Sequence, residues 1–166
     1  MRETLPSEIT VRCDLRPGDI GAIVHLHGVT YARDAGFDIT FEAYVAEPLG
    51  RFVRTRTPRE RLWIAERGDQ LVGCIAIVSA SEREAQLRWY LVEPSARGVG
   101  LGKRLLAEAV QFARDSGYDS VFLWTVSSLT AAARLYRTAG FRKVEEKPGA
   151  WGAEVTEEKY ILHFKP

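Results

Sequence analysis

Cysteine is scarce in this 166-residue chain: there are two, Cys13 and Cys74, far apart and sharing no metal-ligand spacing. Each lies in an apolar, strand-like run, so both read as buried, inert thiols, and the disulfide framework of a small secreted domain is excluded. Net charge is equally sparse at +1, which excludes a whole-molecule field that draws the chain to nucleic acid or to a membrane surface. No apolar run approaches the roughly 20 residues needed to span a bilayer. Residues 1–13 lack the apolar segment of a secretory signal, so a cytoplasmic location is the expectation. Internal repeats and low-complexity linkers are also missing. What is present, 46% apolar and 27% charged residues, is ordinary for a globular protein. The length suits a single domain over residues 1–166, large enough to build a core without disulfides or metal.

The patterning predicts an alternation of strands and helices. Residues 8–14 alternate weakly, as a first strand does. Pro17-Gly18-Asp19 then opens a helix whose stripe is Ile20, Ile23, Val24, His27 and Tyr31, and Gly36 ends it. A second helix is expected over 40–53, with Phe41, Tyr44, Val45, Leu49 and Phe52 on one side. Arg51, Arg54, Arg56, Arg59 and Arg61 crowd the following stretch; they read either as a solvated helix end or as a contact for an anionic substrate or phosphate. Strands are expected over 62–66, 71–78 and 85–93, with turns short enough for antiparallel pairing. The second of these is apolar on both parities, so both its faces should be covered. A third helix is expected from Gly98 to about Ser116, with Leu101, Leu105, Ala109 and Phe112 as its stripe. A strand over 121–125 closes a strand–helix–strand unit, so it should run parallel to the strand over 85–93. Ser127 or Ser128 can cap a fourth helix over 129–139, and strands over 141–145 and 159–164 follow. The resulting fold class is α/β (α+β): a mixed, mostly antiparallel sheet of six to seven strands, with about four helices on both faces.

The most informative segment is Leu91-Val92-Glu93-Pro94-Ser95-Ala96-Arg97-Gly98-Val99-Gly100-Leu101-Gly102-Lys103. A strand ends at a proline, turns, and enters a helix through three glycines. The first amides of a helix have no partner inside it and sit at the positive end of its dipole. Glycine lets a phosphate come close to them, so the segment reads as a main-chain phosphate cradle, with Arg97 and Lys103 adding charge. The glycine spacing differs from G-x-G-x-x-G, and no Lys-Ser or Lys-Thr pair follows, so neither a dinucleotide fingerprint nor a P-loop is present.

With these residues the chain resembles the GCN5-related N-acetyltransferase (GNAT) family. That family's hallmark is Arg or Gln, two residues, Gly, one residue, then Gly or Ala; Arg97, Gly100 and Gly102 match it, and Leu91-Val92-Glu93-Pro94 matches the family's cofactor strand. The element order is also the family's, so the resemblance covers almost the whole chain and implies a central pair of parallel strands that splay apart. His27-Gly28, Tyr31-Ala32-Arg33, Trp63-Ile64-Ala65-Glu66 and Leu123-Trp124-Thr125 are similar, further, to the acetyltransferase half of bacterial proteins that carry a MarR-type DNA-binding domain in front. That DNA-binding half is absent here, so binding to nucleic acid is not implied.

The resemblance implies acetyl-CoA as the cofactor. Its pyrophosphate would lie on Arg97, Gly98, Val99, Gly100, Leu101, Gly102 and Lys103, and its pantetheine arm on the backbones of Leu91 and Val92. It implies direct attack of an amine on the thioester, with no covalent enzyme intermediate, and Tyr136, in Ala133-Arg134-Leu135-Tyr136 before Gly140-Phe141, as general acid. A tyrosine with a pKa of about 10 stays protonated at neutral pH and can donate to a leaving thiolate with a pKa of about 8.5; the alternative is a core tyrosine on the stripe of Leu129 and Ala132. Many family members carry Asn where Leu129 stands, so a cofactor hydrogen bond is missing or is supplied by Ser127 or Ser128. His27 and Tyr31 on the first helix, and Arg88 and Tyr90 alternating on one face of the cofactor strand, are the candidate acceptor-site residues, with Glu42 and Tyr44 weaker ones. His25 and His163 read as exposed and structural. The acceptor is expected to be a primary amine of a small molecule or amino acid. A non-catalytic acyl-CoA-binding module and a protein N-acetyltransferase are the alternatives, the general base is open, and a homodimer through edge strands or terminal elements is compatible with the family.

Overall fold

The computed structural model describes residues 8–164. In chain order these form β1 (Ile9–Arg12), α1 (Asp19–Ala35), α2 (Ile39–Thr55), β2 (Arg61–Arg67), β3 (Gln70–Ser79), β4 (Glu84–Val92), a 3₁₀ turn (Pro94–Ala96), α3 (Leu101–Asp115), β5 (Ser120–Val126), α4 (Thr130–Thr138), β6 (Arg142–Pro148) and β7 (Thr156–His163). The strands make one sheet in the order β1-β2-β3-β4-β5-β7-β6. Every neighbouring pair is antiparallel except β4 and β5. The expected mixed sheet with a central parallel pair and four helices is what the chain builds.

The sheet separates two cores. On one face, Leu101, Leu105, Leu106, Ala109 and Val110 of α3 pack with Trp63, Val72, Ile75 and Ile77 of the sheet and with Tyr136 of α4. On the other, Ile23 of α1 and Phe41, Val45, Leu49 and Phe52 of α2 pack on Leu62, Ile64, Cys74 and Ala76. Period-2 alternation in β2 and β3 therefore feeds apolar side chains to both faces. The start of α1 is tied to the sheet edge by Arg12, whose guanidinium donates to both Asp19 oxygens at 2.7 and 2.9 Å and to Glu66 of β2. At the opposite edge every residue of β6 is exposed; its run of charged side chains discourages further strand addition.

Three local expectations change. Cys13 follows the end of β1 and is exposed, whereas Cys74 is buried as expected. Helix α3 starts at Leu101 rather than Gly98, because the 3₁₀ turn and two left-handed glycines occupy the approach. Neither Ser127 nor Ser128 caps α4; Leu129 holds that position and no side chain caps the helix.

The feature that matters most for a site lies between β4 and β5. Their parallel pairing is limited to Glu84, Ala85 and Gln86 against Ser120, Val121 and Phe122. β4 stays paired with β3 along its length, but beyond Arg88 it carries an extra residue: Cys74 opposes Leu91 while Ala76 opposes Arg88. Trp89 absorbs the insertion at a φ of 50°, and its carbonyl accepts from the Cys74 thiol at 3.1 Å. A bulge of this kind bends its strand and increases the local twist, so β4 leaves β5 and a slot opens between them.

Leu105 is fully buried where α3 meets the sheet. Leu105→Ala should lower the unfolding free energy by about 2–5 kcal/mol, read from the shift of the urea midpoint. A loss below about 1 kcal/mol would show that α3 is not packed as described.

Candidate active site

The slot divides the space above the sheet into two cavities that meet. The larger, about 570 Å³, is lined by the end of β4, the glycine loop and the beginnings of α3 and α4. The smaller, about 100 Å³, lies under α1 and α2 and is lined by Arg88, Trp89 and Tyr90 of β4, residues 123–126 of β5, and Glu157 of β7. Tyr31, Tyr90 and Tyr136 line both and mark the junction.

Two helices begin at the larger cavity. Gly100 precedes α3 with a φ of 84° and Leu129 precedes α4; neither helix start receives a side-chain cap. The first-turn amides of Leu101, Gly102 and Lys103, and of Thr130, Ala131 and Ala132, therefore lack both intrahelical and side-chain acceptors. Two positive dipole ends converge on one cleft, with Arg97, Lys103 and Arg134 on its rim. Gly98 has open space where a Cβ would stand, whereas a Cβ at Gly102 would meet the Tyr90 hydroxyl at 2.9 Å. That hydroxyl donates to the Gly102 carbonyl at 2.6 Å and pins the helix start to β4. The cradle fits a polyphosphate by its main-chain donors.

The expected loop residues come together with two differences. Val99 is exposed and does not line the cleft. Arg97 is not a free cation: its Nε donates to the Val92 carbonyl at 3.0 Å and its guanidinium lies 3.6 Å from Asp34. Leu91 and Val92 line the cleft as expected. Ser128 and Thr130 flank Leu129 there and bring hydroxyls to the place where the asparagine is missing.

At the junction, Tyr136 is 5% exposed. Its ring is about equally distant from Tyr90 and Tyr160, at 6.0 and 5.9 Å between centroids. Burial, followed by the neighbouring tyrosines, raises its phenol well above the ordinary value. Burial likewise raises Tyr90 and pushes Tyr31 up to about 12. All three stay protonated hydrogen-bond donors across the working pH range.

In the smaller cavity, His27 is 3% exposed. Its Nδ1 donates to the Ile23 carbonyl at 2.8 Å, and burial pulls its pKa down to about 4. The ring is thus neutral, with Nε2 as its lone-pair nitrogen. The expectation that Arg88 and Tyr90 share a face fails because of the bulge at Trp89. Arg88 lies on the α2 side, 5.9 Å from the Tyr44 ring and 5.0 Å from the Trp89 ring, while Tyr90 packs with α3 and Tyr136 on the other. Burial lowers the Arg88 guanidinium pKa, and Tyr44 opposes that shift.

Other candidates stand aside. Glu42 packs against Gly28 and lines neither cavity. His25 and His163 are exposed. The arginine run is structural where it is engaged: Arg59 donates to the Ser116 and Glu82 carbonyls and covers Tyr118, and Arg61 covers Phe112.

Sequence reasoning missed Phe37, Trp124, Trp151 and Glu157. Trp151 sits between β6 and β7 at a φ of 68° and packs on Phe37, Phe41 and Tyr44 with centroids 5.0–5.4 Å apart. Its carbonyl accepts from the Asp38 amide at 2.8 Å. The Pro148-Gly149-Ala150-Trp151-Gly152 run signalled a turn, not the aromatic that closes the hollow.

Comparison with known proteins agrees with this architecture. Residues 23–141 match the profile of the Acetyltransferase (GNAT) family. An uncharacterized N-acetyltransferase of Schizosaccharomyces pombe is 29% identical over 143 residues, 84% of this chain and 86% of that protein. N-acetyltransferase 8B of Rattus norvegicus is 37% identical over 86 residues, 49% of this chain, and the match spans 39% of that protein's length. A Salmonella typhimurium protein solved with its cofactor acetyl-CoA superposes with a TM-score of 0.76 at 18% identity, over 96% of this chain and 95% of that one.

The buried neutral His27 generates a pH signature. Its folded pKa of about 4 lies below the ordinary 6.5, so the unfolded chain binds the extra proton as pH falls through that window. Stability attributable to His27 is complete above about 6.5 and declines by roughly 3 kcal/mol on reaching about 4. Denaturant unfolding at stepped pH should show this slope in the wild type and a flatter one in His27→Gln; equal slopes would refute the burial of a neutral imidazole.

Proposed function

The chain belongs to the Acetyltransferase (GNAT) family, and we propose that, as a single domain working in the cytoplasm, it moves an acetyl group from acetyl-CoA to a primary amine of a small molecule or amino acid. The carrying observation is the meeting of two cavities at Tyr31, Tyr90 and Tyr136: one with two uncapped helix starts, the other small and walled by aromatics. The first suits the pyrophosphate of acetyl-CoA, held by the amides from Gly98 to Lys103. The edge of β4 beyond Gln86 that faces away from β3 has lost its β5 partner, so main-chain groups on that edge, in the stretch of Leu91 and Val92, suit the pantetheine amides. An amide of this edge also suits polarisation of the acetyl carbonyl.

Tyr136 acts as general acid. Burial keeps its phenol protonated, so it donates to the sulfur as the C–S bond breaks and contributes no alkaline limb near neutral pH. Arg88, half-buried beside Tyr44, is the cation for an acidic group on the acceptor. The closure of the smaller cavity by Trp151 favours a small acceptor over a peptide. The shared runs from His27 to Arg33 and around Trp63 and Trp124 favour kinship with the catalytic half of bacterial MarR-type fusions within the family.

Calorimetric titration with acetyl-CoA tests the reading. The wild type should bind one equivalent, and Gly100→Trp, which forces a bulky side chain onto a left-handed backbone, should not. Tyr136→Phe should keep its affinity within about twofold while amine-dependent thiol release falls about 100-fold or more. Absence of acetyl-CoA binding by the wild type would require the reading to be withdrawn.

A further inference from the structure

Two ionisable groups on the wall of the smaller cavity have no task in the roles above: His27 on α1 and Glu157 on β7. Glu157 is 9% exposed. Its backbone pairs with Val126 on one side and Lys147 on the other. Among the described residues, no hydrogen bond or ion pair engages its carboxylate. Lys147, opposite it on β6, instead lies over the Trp124 ring, with Nζ 4.2 Å from the centroid. A carboxylate that burial partly desolvates and that has no partner is destabilised, and such a group on a cavity wall is a functional candidate where a ligand brings the missing charge.

Resting on the acetyl-transfer reading above, we propose that Glu157 receives the ammonium group of the acceptor and takes its proton, in a cavity shaped for a primary amine on an aromatic or apolar body. The body would lie against Tyr31, Phe41 and Trp151, whose rings also favour a nearby cation. Charge decides between the two candidate bases. Transfer of a proton from a buried ammonium to neutral His27 relocates a cation without removing it. Transfer to the Glu157 carboxylate converts two buried charges into two neutral groups, which a site of low dielectric favours. His27 has also committed Nδ1 to the Ile23 carbonyl.

The step balances as follows. The acceptor enters as an ammonium ion and gives one proton to the Glu157 carboxylate. The freed nitrogen lone pair forms the C–N bond to the thioester carbonyl carbon, and the C–S bond breaks with its electron pair going to sulfur. Sulfur takes the Tyr136 phenol proton, and the second proton of the nitrogen refills the phenol. Glu157 then releases its proton to solvent, so ammonium and thioester yield amide, thiol and one proton.

Burial raises the Glu157 carboxyl and Lys147 partly opposes it. Of the other ionisable groups on the wall, Arg88 carries a charge and His27 stays neutral above about 4; burial keeps Tyr31, Tyr90 and Tyr136 neutral. Activity should therefore fall as pH drops through the raised Glu157 pKa.

The test uses acetyl-CoA with 2-phenylethylamine, tyramine and L-phenylalanine, following thiol release against pH. Glu157→Gln should bind acetyl-CoA within about twofold of wild type, lose about 100-fold in kcat/KM and lose the acid limb. Lys147→Met, on an exposed strand, should keep the fold and move the acid limb to higher pH, because the cation that lowers the Glu157 pKa is gone. The proposal is overturned if Glu157→Gln stays within about threefold of wild-type kcat/KM, if Lys147→Met leaves the limb in place, or if wild type binds acetyl-CoA but accepts none of the three amines. Failure of wild type to bind acetyl-CoA would instead overturn the acetyl-transfer reading itself.

Discussion

Everything that distinguishes this sheet from an ordinary twisted one follows from the parting of β4 and β5. Three residue pairs hold them together, and an inserted residue at Trp89 then turns β4 away. In a uniformly paired sheet the β5-facing main-chain groups of β4 beyond Gln86 would be used up in a ladder, and α3 and α4 would lie over a closed surface. The bulge is held in place by the Cys74 thiol on the Trp89 carbonyl and by tight packing of Phe52 against the Trp89 ring, 5.6 Å between centroids. A strained backbone conformation survives where its surroundings overdetermine it, and here those surroundings are the interior of the α1–α2 core.

The two cavities created by that parting differ in how they handle charge. The larger offers donors with fixed geometry: main-chain amides at two helix starts and the rim cations Lys103 and Arg134. The smaller offers few charges, a half-buried Arg88 and a buried Glu157 amid aromatic rings. The junction between them is walled by tyrosines that burial keeps protonated. Fixed main-chain donors therefore mark the larger cavity, and sparse, partly buried charges mark the smaller, where each polar group counts for more.

Local features were legible from sequence and long-range ones were not. The glycine turn into an uncapped helix was readable because it is built from consecutive residues: Gly98, Gly100 and Gly102 carry the signal without help from elsewhere. The strand–helix order and the parallel pairing of residues 85–93 with 121–125 were readable from periodicity and connection length. Arg88 and Tyr90 were assigned to one face because strict alternation has no way to signal an inserted residue; a single bulge reversed the parity for everything after it. Ser127 and Ser128 are good caps by composition, but Leu129 took the position, leaving the helix start open to the cleft. Cys13 looked buried because β1 was extended past its true end at Arg12. Glu157 and Trp151 gave no signal, since nothing local tells a buried strand glutamate from an exposed one, and the Trp151 ring has meaning only against Phe37 and Phe41, more than a hundred positions earlier.

The sheet's division of the interior has a consequence for how such a protein changes over generations. The helices that begin at the larger cavity rest in one core and those that wall the smaller rest in the other. The hollow is further closed by two surface loops, joined through the Asp38 amide and the Trp151 carbonyl. Replacing Phe37 or Trp151, or lengthening the segment between β6 and β7, reshapes the hollow while the packing beneath α3 is untouched. Drift in two loops can thus remodel the smaller cavity while the helix starts at the larger one are inherited intact.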